Sequence, residues 1–289
     1  MRRACIDIGS NTTRLLVAEC GDARLHEVHQ DRAFTRIGRG ITGDGMIEDA
    51  KIAEVVGVVT AQLTRAHDLG SSEVLGVATA AIRRAANGAD LVRAIETACG
   101  LKVQILSGEE EARLAFVGAA GALGRRPAGT LGVVDVGGGS SEIVVGTAPE
   151  KISWWFSFAL GSGDLSENYL RSDPPRAAEL AAARARVAEG LAGVEVPPPL
   201  EAIAVGGSAT SLRRLAGSLL DDAAFERSFS ALASERAVEV ARRFALDFER
   251  VRLLPAGLLI LEAVSNLFGT ALQVGCGGIR EGVLLEAGA

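Results

Sequence analysis

Lysine is scarce in this chain of 289 residues: Lys51, Lys102 and Lys151 are its only lysines, and the rest of its 30 basic residues are arginine. Acidic side chains outnumber basic ones, giving a net charge of −6 and a pI near 5.3. A surface of that sign excludes the global basic footprint that grips nucleic acid or an acidic membrane. Any polyanion must therefore meet local arginines, whose planar guanidinium suits phosphate oxygens. Cysteine is sparse as well. Cys5, Cys20, Cys99 and Cys276 lie far apart with no C-x-x-C pair, which speaks against a zinc site or a disulfide framework and makes a reducing cytoplasm the expected setting. No apolar run approaches the ~20 residues that span a bilayer. Met1-Arg2-Arg3 resembles the start of a signal peptide, but Asp7 and Asn11 interrupt the apolar stretch that would have to follow. His26 and His29 are three apart in a stretch read as a strand, a spacing that places them on opposite faces and gives them no shared metal.

Few prolines, eight in all, and a hydrophobic content of 48% describe a fully folded chain, and its length fits two domains of ordinary size. Two short segments look like one device used twice. Asp7-Ile8-Gly9-Ser10-Asn11-Thr12-Thr13 is answered 128 positions later by Asp135-Val136-Gly137-Gly138-Gly139-Ser140-Ser141-Glu142. Each follows a strand-like run (Arg3 to Ile8, Leu131 to Val136), turns on glycine and re-enters strand-like sequence. Glycine lets backbone N–H groups approach an anion, Ser and Thr hydroxyls add donors, and the Asp can hold a cation bound to that anion. An ordinary glycine hairpin explains either segment alone; their repetition favours a clamp for a Mg²⁺-bound phosphate chain.

From the first turn onward strands alternate with helices, as in a mainly parallel sheet covered by helices. Ile52, Val55, Val56, Val59, Leu63 and Ala66 recur at helical spacing up to Gly70, and Val74 to Ala78 reads as a buried strand. Further helices are expected from about Ala89 to Cys99 and from Glu109 to about Ala122. Gly124 to Gly129 is the best boundary, dividing a first domain, 1–124, from a second, 125–289. Beyond it, Asp173-Pro174-Pro175 is expected to open a helix with proline in its first turn, and Gly206-Gly207-Ser208-Ala209-Thr210 turns directly into another. Gly275-Cys276-Gly277-Gly278 turns into Ile279-Arg280-Glu281-Gly282, where an exposed Arg280–Glu281 pair is the plain reading. Trp154 and Trp155 read as core or interface, not as a base-stacking platform.

The order and spacing of these turns, together with Ala78-Thr79-Ala80-Ala81-Ile82-Arg83 and Ser107-Gly108-Glu109-Glu110-Glu111-Ala112, resemble the exopolyphosphatase/guanosine pentaphosphate phosphatase (Ppx/GppA) family of the actin, sugar-kinase and heat-shock chaperone ATPase superfamily. The resemblance covers essentially the whole chain. It implies an α/β fold of two similar actin-like (ribonuclease H-like) domains, each a mixed sheet flanked by helices, with the active site in the cleft between them. It implies that Gly9, Ser10, Asn11 and Thr12 form a first phosphate loop, that Arg83 contacts phosphate, and that Glu111 is the catalytic carboxylate. Gly137, Gly138, Gly139 and Ser140 would form the second loop, with Glu142 serving the attacking water; Asp7 and Asp135 would hold the metal, Mg²⁺ or alternatively Mn²⁺. Gly206 and Gly207 sit where nucleotide-using relatives contact phosphate, although a turn capping the next helix explains them almost as well.

On local chemistry alone, three glutamates at a helix start are ordinary helix-dipole residues, Asp7 and Asp135 could simply end strands, and Arg83 beside Arg84 could be a solvated pair. With the resemblance, the expected activity is metal-dependent release of terminal orthophosphate from inorganic polyphosphate. The alternatives are 5′-phosphate removal from the guanosine polyphosphate pppGpp, a non-hydrolytic polyphosphate- or nucleotide-binding regulator, and a kinase of the same superfamily. Pairing among relatives makes a homodimer the expected assembly, with no nucleic acid or membrane partner. The chain matches the family's catalytic core, whereas long members continue into helical domains that help bind extended polyphosphate; a short core is expected to trim short chains, act on pppGpp, or do both poorly.

Overall fold

The computed structural model describes residues 1–21, 24–148 and 151–288, and the chain divides into two compact units, Met1–Ala122 with Gly277–Ala289, and Leu123–Cys276. The first unit runs β1 (Arg2–Ile8), β2 (Thr13–Gly21), β3 (Arg24–Ala33), a 3₁₀ turn (Ile37–Gly40), α1 (Asp49–Asp68), β4 (Glu73–Ala78), α2 (Ala80–Arg84), α3 (Gly88–Cys99), β5 (Val103–Ile105) and α4 (Gly108–Ala122). Its sheet has the order β3-β2-β1-β4-β5, with β1–β2–β3 an antiparallel meander and β4 and β5 parallel to β1. Strand β1 is apolar on both faces because both are covered. Ala4, Ile6 and Ile8 pack with residues of α1 and α3, while Cys5 faces a cluster that includes Leu114 of α4. By the two-residue period of a strand, Asp7 shares the Cys5 face.

The second unit repeats the plan. It runs β6 (Leu131–Val136), β7 (Ser141–Gly146), β8 (Ile152–Phe158), α5 (Ser162–Tyr169), α6 (Ala177–Gly190), β9 (Glu201–Val205), α7 (Gly206–Ala216), β10 (Leu219–Leu220), α8 (Asp222–Ser234), α9 (Ala237–Phe244), α10 (Phe248–Val251), α11 (Leu254–Phe268) and β11 (Leu272–Val274). Read from its meander edge, the sheet is β8-β7-β6-β9-β11, with β10 added beyond β11. Helices α5 to α8 and α11 supply the core against Val134, Val136, Ile143 and Ala204. Each unit is thus a mixed sheet flanked by helices, the actin-like (ribonuclease H-like) arrangement. Trp154 packs on this core, whereas Trp155, on the opposite face of β8, stays 41% exposed. No helix among the described residues is long and apolar enough to cross a membrane.

Three sequence expectations need correction. The last helix, α12 (Ile279–Ala287), belongs to the first unit, so the second unit does not extend to residue 289. Its glycines explain why: a β-carbon on Gly282 would fall 2.1 Å from the Leu114 carbonyl oxygen, and one on Gly118 would fall 2.0 Å from that of Gly278, so α12 and α4 meet backbone to backbone. The prolines at 174 and 175 precede α6 instead of entering its first turn, and Glu179 caps that end by accepting the Arg176 and Ser172 amides at 2.9 and 3.2 Å. A bulge at Val17/Ala18 pairs His29 with Val17 but His26 with Glu19. The extra residue in β3 therefore brings the two histidines to one face; among the described residues no group of three or more His, Cys, Asp or Glu side chains is placed to hold a metal.

Candidate active site

The two glycine hairpins match position by position. In the first, Asp7 pairs with Arg14 and Ile8 with Thr13; in the second, Asp135 pairs with Glu142 and Val136 with Ser141. Each closes with the same bond, Gly9 N–H to the Thr12 carbonyl and Gly137 N–H to the Ser140 carbonyl, both at 3.0 Å. A β-carbon on Gly9 or Gly137 would fall 3.1 or 2.9 Å from that carbonyl oxygen, so glycine is what lets the turn close. The difference lies in the residue facing the Asp: an arginine in one hairpin, a carboxylate in the other.

In the first unit the carboxyl ends of β1, β4 and β5 lie side by side and bring three motifs to one sheet edge, the usual ligand edge of an α/β sheet. The β1 end carries Gly9, Ser10, Asn11 and Thr12; the Thr79 amide bonds to the Ile8 carbonyl at 3.2 Å, which ties the start of α2, the helix that carries Arg83, to the end of β1. A strap from Arg36 to Gly38 supports the loop from outside: Arg36 N–H donates to the Asn11 carbonyl and Gly38 N–H to the Ser10 carbonyl, each at 2.9 Å. Two side-chain oxygens on the loop are buried without a hydrogen-bond partner among the described residues, Asp7 Oδ1 and Ser10 Oγ. Burial raises the Asp7 carboxyl above its ordinary range, against the opposing fields of Arg14 and Arg280. An unmet carboxylate oxygen is a cation ligand without a cation's competitor, so Asp7 fits a divalent metal, and the unmet Ser10 hydroxyl fits a phosphate oxygen.

The three glutamates of α4 have three different fates. Glu109 is exposed. Glu110 forms a capping box with Ser107, accepting the Ser107 amide at 2.7 Å while the Ser107 hydroxyl accepts the Glu110 amide at 3.1 Å; that bonding holds its carboxyl below the usual range. Glu111 is turned inward with a side chain only 2% exposed and pairs with the Arg83 guanidinium, itself 29% exposed, which also donates to the Leu106 carbonyl. The helix-dipole reading therefore applies to Glu109 and Glu110. It does not describe Glu111, whose buried charge is held by an arginine from another element. Arg83, expected only as a phosphate contact, is a partner of the proposed base.

In the second unit, β6 and β9 deliver the Asp135 turn and the Gly206 turn to one edge. The carbonyls of the second loop are taken up from behind by the start of α5: Ser162 N–H donates to the Gly137 carbonyl at 2.9 Å, and the Gly163 and Asp164 amides donate to the Gly138 carbonyl at 2.9 and 3.1 Å. Gly161 allows this approach, since a β-carbon there would fall 2.3 Å from the Gly138 carbonyl carbon. The Gly138 and Gly139 amides belong to the glycine turn itself, where the missing side chains leave room for an anion to approach the backbone. Glu142 is buried and accepts the Ser157 hydroxyl at 2.9 Å. Asp135 lies against Gly206, whose absent β-carbon would sit 2.3 Å from Asp135 Oδ1. Asp135 and Glu142 face each other across the strands, and carboxylate oxygens are the donor chemistry that fits a divalent ion. With so few carboxylates, such an ion would keep water and phosphate oxygens among its ligands, as Mg²⁺ does.

Sequence reading missed Arg14 and Arg250, and on local grounds took Arg280 for half of an exposed pair although the family resemblance sets its segment at the border of the site. Arg250 is buried with its guanidinium against Gly207, where a β-carbon would fall 2.4 Å from Nη1. Arg280, expected in an exposed pair, is 4% exposed. Nothing local marks either residue; the only available signal for Arg14 was its place opposite Asp7 in the first hairpin.

Two actin-like units, each presenting a carboxylate-bearing glycine turn, define an enzyme that works on phosphate groups. Residues 16–288 match the Ppx/GppA phosphatase family. The chain is 34% identical over 234 residues to Exopolyphosphatase 2 of Mycobacterium tuberculosis, covering 75% of this chain and 72% of that one. It is 28% identical to the crystal structure of the Aquifex aeolicus Ppx/GppA family member, with a TM-score of 0.83 over 99% of this chain and 97% of the other. An exopolyphosphatase from Cytophaga hutchinsonii, 22% identical with a TM-score of 0.88 over 99% and 98% of the two chains, shares the fold. The protein belongs to the Ppx/GppA phosphatase family.

Proposed function

We propose that this protein is a metal-dependent phosphohydrolase that releases terminal orthophosphate from inorganic polyphosphate, with water as the nucleophile. The observation that carries the reading is the repeated hairpin: one register, one closing bond, an Asp at each strand end, and an unmet Ser10 hydroxyl in the first turn. Relatives named exopolyphosphatase support the choice of substrate.

Hydrolysis of a phosphoanhydride asks the protein for charge neutralisation, alignment and an oriented water. Ser10 and the amides of residues 138 and 139 bind nonbridging oxygens. Asp7 in the first unit and Asp135 in the second are each the carboxylate that would hold Mg²⁺, or Mn²⁺, directly or through its waters; such an ion would neutralise charge on phosphate oxygens. Arg83 fixes Glu111 before substrate arrives, so the carboxylate is aimed to accept a proton from water. In the second unit Glu142, steadied by Ser157, is the carboxylate assigned to the attacking water. We place the reaction in the cytoplasm and expect a homodimer.

The test is orthophosphate release from long polyphosphate, short polyphosphate, pppGpp and ATP with Mg²⁺, comparing the parent with Glu111→Gln. Turnover on polyphosphate that falls about 10²–10⁴-fold in the variant is the expected result. A higher kcat/KM on pppGpp would replace the substrate with the guanosine polyphosphate. Tight binding of all four without release would leave a binding regulator in place of the hydrolase.

A further inference from the structure

Arg280 is a buried charge of the first unit, and its two hydrogen bonds run to β2 and β3. Nη1 donates to the Leu15 carbonyl on β2 at 3.0 Å, and Nη2 donates to Gln30 Oε1 on β3 at 3.2 Å. Leu15 follows Arg14, the residue paired with Asp7, so this anchor lies at the base of the first phosphate hairpin. Gln30 pairs with Leu16, and Leu16 with Cys5. Cross-strand partners share a face, which puts Gln30, Leu16, Cys5 and Asp7 on the sheet face over which α12 packs.

The residues flanking Arg280 fasten the same turn of α12 to α4. Gly278 lies two residues before it and meets the backbone of Gly118; Gly282 lies two residues after it and meets the carbonyl of Leu114. Leu114 is three positions beyond Glu111, within one helical turn. One turn of α12 is therefore in van der Waals contact with the backbone of the Glu111 helix and hydrogen-bonded to the Asp7 hairpin. A buried guanidinium is costly unless compensated. Here the hydrogen-bond acceptors are neutral, with Glu281 Oε1 at 3.6 Å. A purely architectural contact of this kind would be served as well by an apolar side chain; a fixed positive charge behind an anion-binding hairpin serves the site.

Resting on the phosphohydrolase reading above, we infer that Arg280 is a positioning residue that sets the Asp7 hairpin against the Glu111 helix. It acts through those two carboxylates and touches neither substrate nor water.

The test compares Arg280→Gln, Arg280→Lys and Gln30→Ala with Glu286→Ala. The last removes the exposed Arg113–Glu286 bridge, which joins α4 to α12 away from the hairpin, and so reports what loosening the two helices does by itself. In polyphosphate hydrolysis, Arg280→Gln is expected to lower kcat about 10²-fold with KM within about twofold, the effect of a misplacement near 1 Å. Arg280→Lys, which keeps the charge, and Gln30→Ala, which removes one acceptor, should each retain more activity than Arg280→Gln, while Glu286→Ala should keep the parent kcat. Amide exchange is the second readout. It should accelerate in residues 13–17 and 108–116 together in Arg280→Gln but not in Glu286→Ala.

A kcat for Arg280→Gln equal to that of Glu286→Ala would overturn the inference. If Arg280→Gln fails to fold, Arg280→Lys and Gln30→Ala decide, and parent values for both would overturn it. A parent that releases no orthophosphate from any substrate would count against the hydrolase reading alone. The exchange comparison would still decide the positioning role, and unchanged exchange at both segments would refute it.

Discussion

Replacing Gly206 by alanine tests whether the second-unit site depends on the placement of Asp135. Gly206 has φ of +86°, and a β-carbon there would lie 2.3 Å from Asp135 Oδ1 and 3.3 Å from the Val136 carbonyl oxygen. The left-handed backbone costs an alanine about 1–2 kcal/mol, which for a domain of this size lowers Tm by about 2–8 °C. Ordinary contact begins near 3.4 Å, so the carboxylate must retreat by roughly 1 Å, a displacement that costs about 10²-fold in rate when the group aligns a reaction. Gly269→Ala supplies the control. Gly269 also has positive φ, +65°, but nothing lies within 4 Å of its β-carbon position, so it carries the strain without the collision. Thermal melts and orthophosphate release measured side by side should give similar Tm losses in both variants and a large loss of kcat in Gly206→Ala alone. Equal activity in the two variants would refute the role assigned to Asp135.

Asp7→Asn should abolish metal-dependent turnover yet stabilise the fold near neutral pH. Burial raises the Asp7 carboxyl in the folded state, so over the window from its unfolded pKa of about 4 up to the raised value the folded state holds the extra proton, and stability falls as pH rises. Denaturant unfolding across that window should show a decline in the parent that is reduced in Asp7→Asn; parallel curves would contradict it. Glu110→Ala should cost about 1 kcal/mol through loss of the capping box while keeping kcat within a few-fold, and Glu109→Ala should change neither. Because the Glu110 carboxyl is held low by the Ser107 amide, its contribution is present above its unfolded pKa and lost as pH falls, which the same unfolding series would detect.

The sequence by itself determined the parts whose physics is local. A glycine turn between two strand-like runs reads as a hairpin wherever it occurs, and two of them with an Asp in the same place announced the repeated unit and both hairpins. The alternation of strands and helices showed sheets covered by helices for the same reason, since periodicity is written in nearest neighbours; read as mainly parallel, it missed the antiparallel meander in each sheet, which only the family resemblance implied. Tertiary structure decided what depends on which surfaces meet. Three consecutive glutamates are chemically alike on paper; packing alone turned Glu111 inward to Arg83 and left Glu110 to cap the helix. Nothing in the sequence marked Arg250, and Arg280 read as half of an exposed pair, because what buries each of them is distant in sequence. The return of α12 to the first unit followed from backbone contact at Gly118 and Gly282, where the absence of a side chain permits an approach that no residue pattern along one helix can reveal.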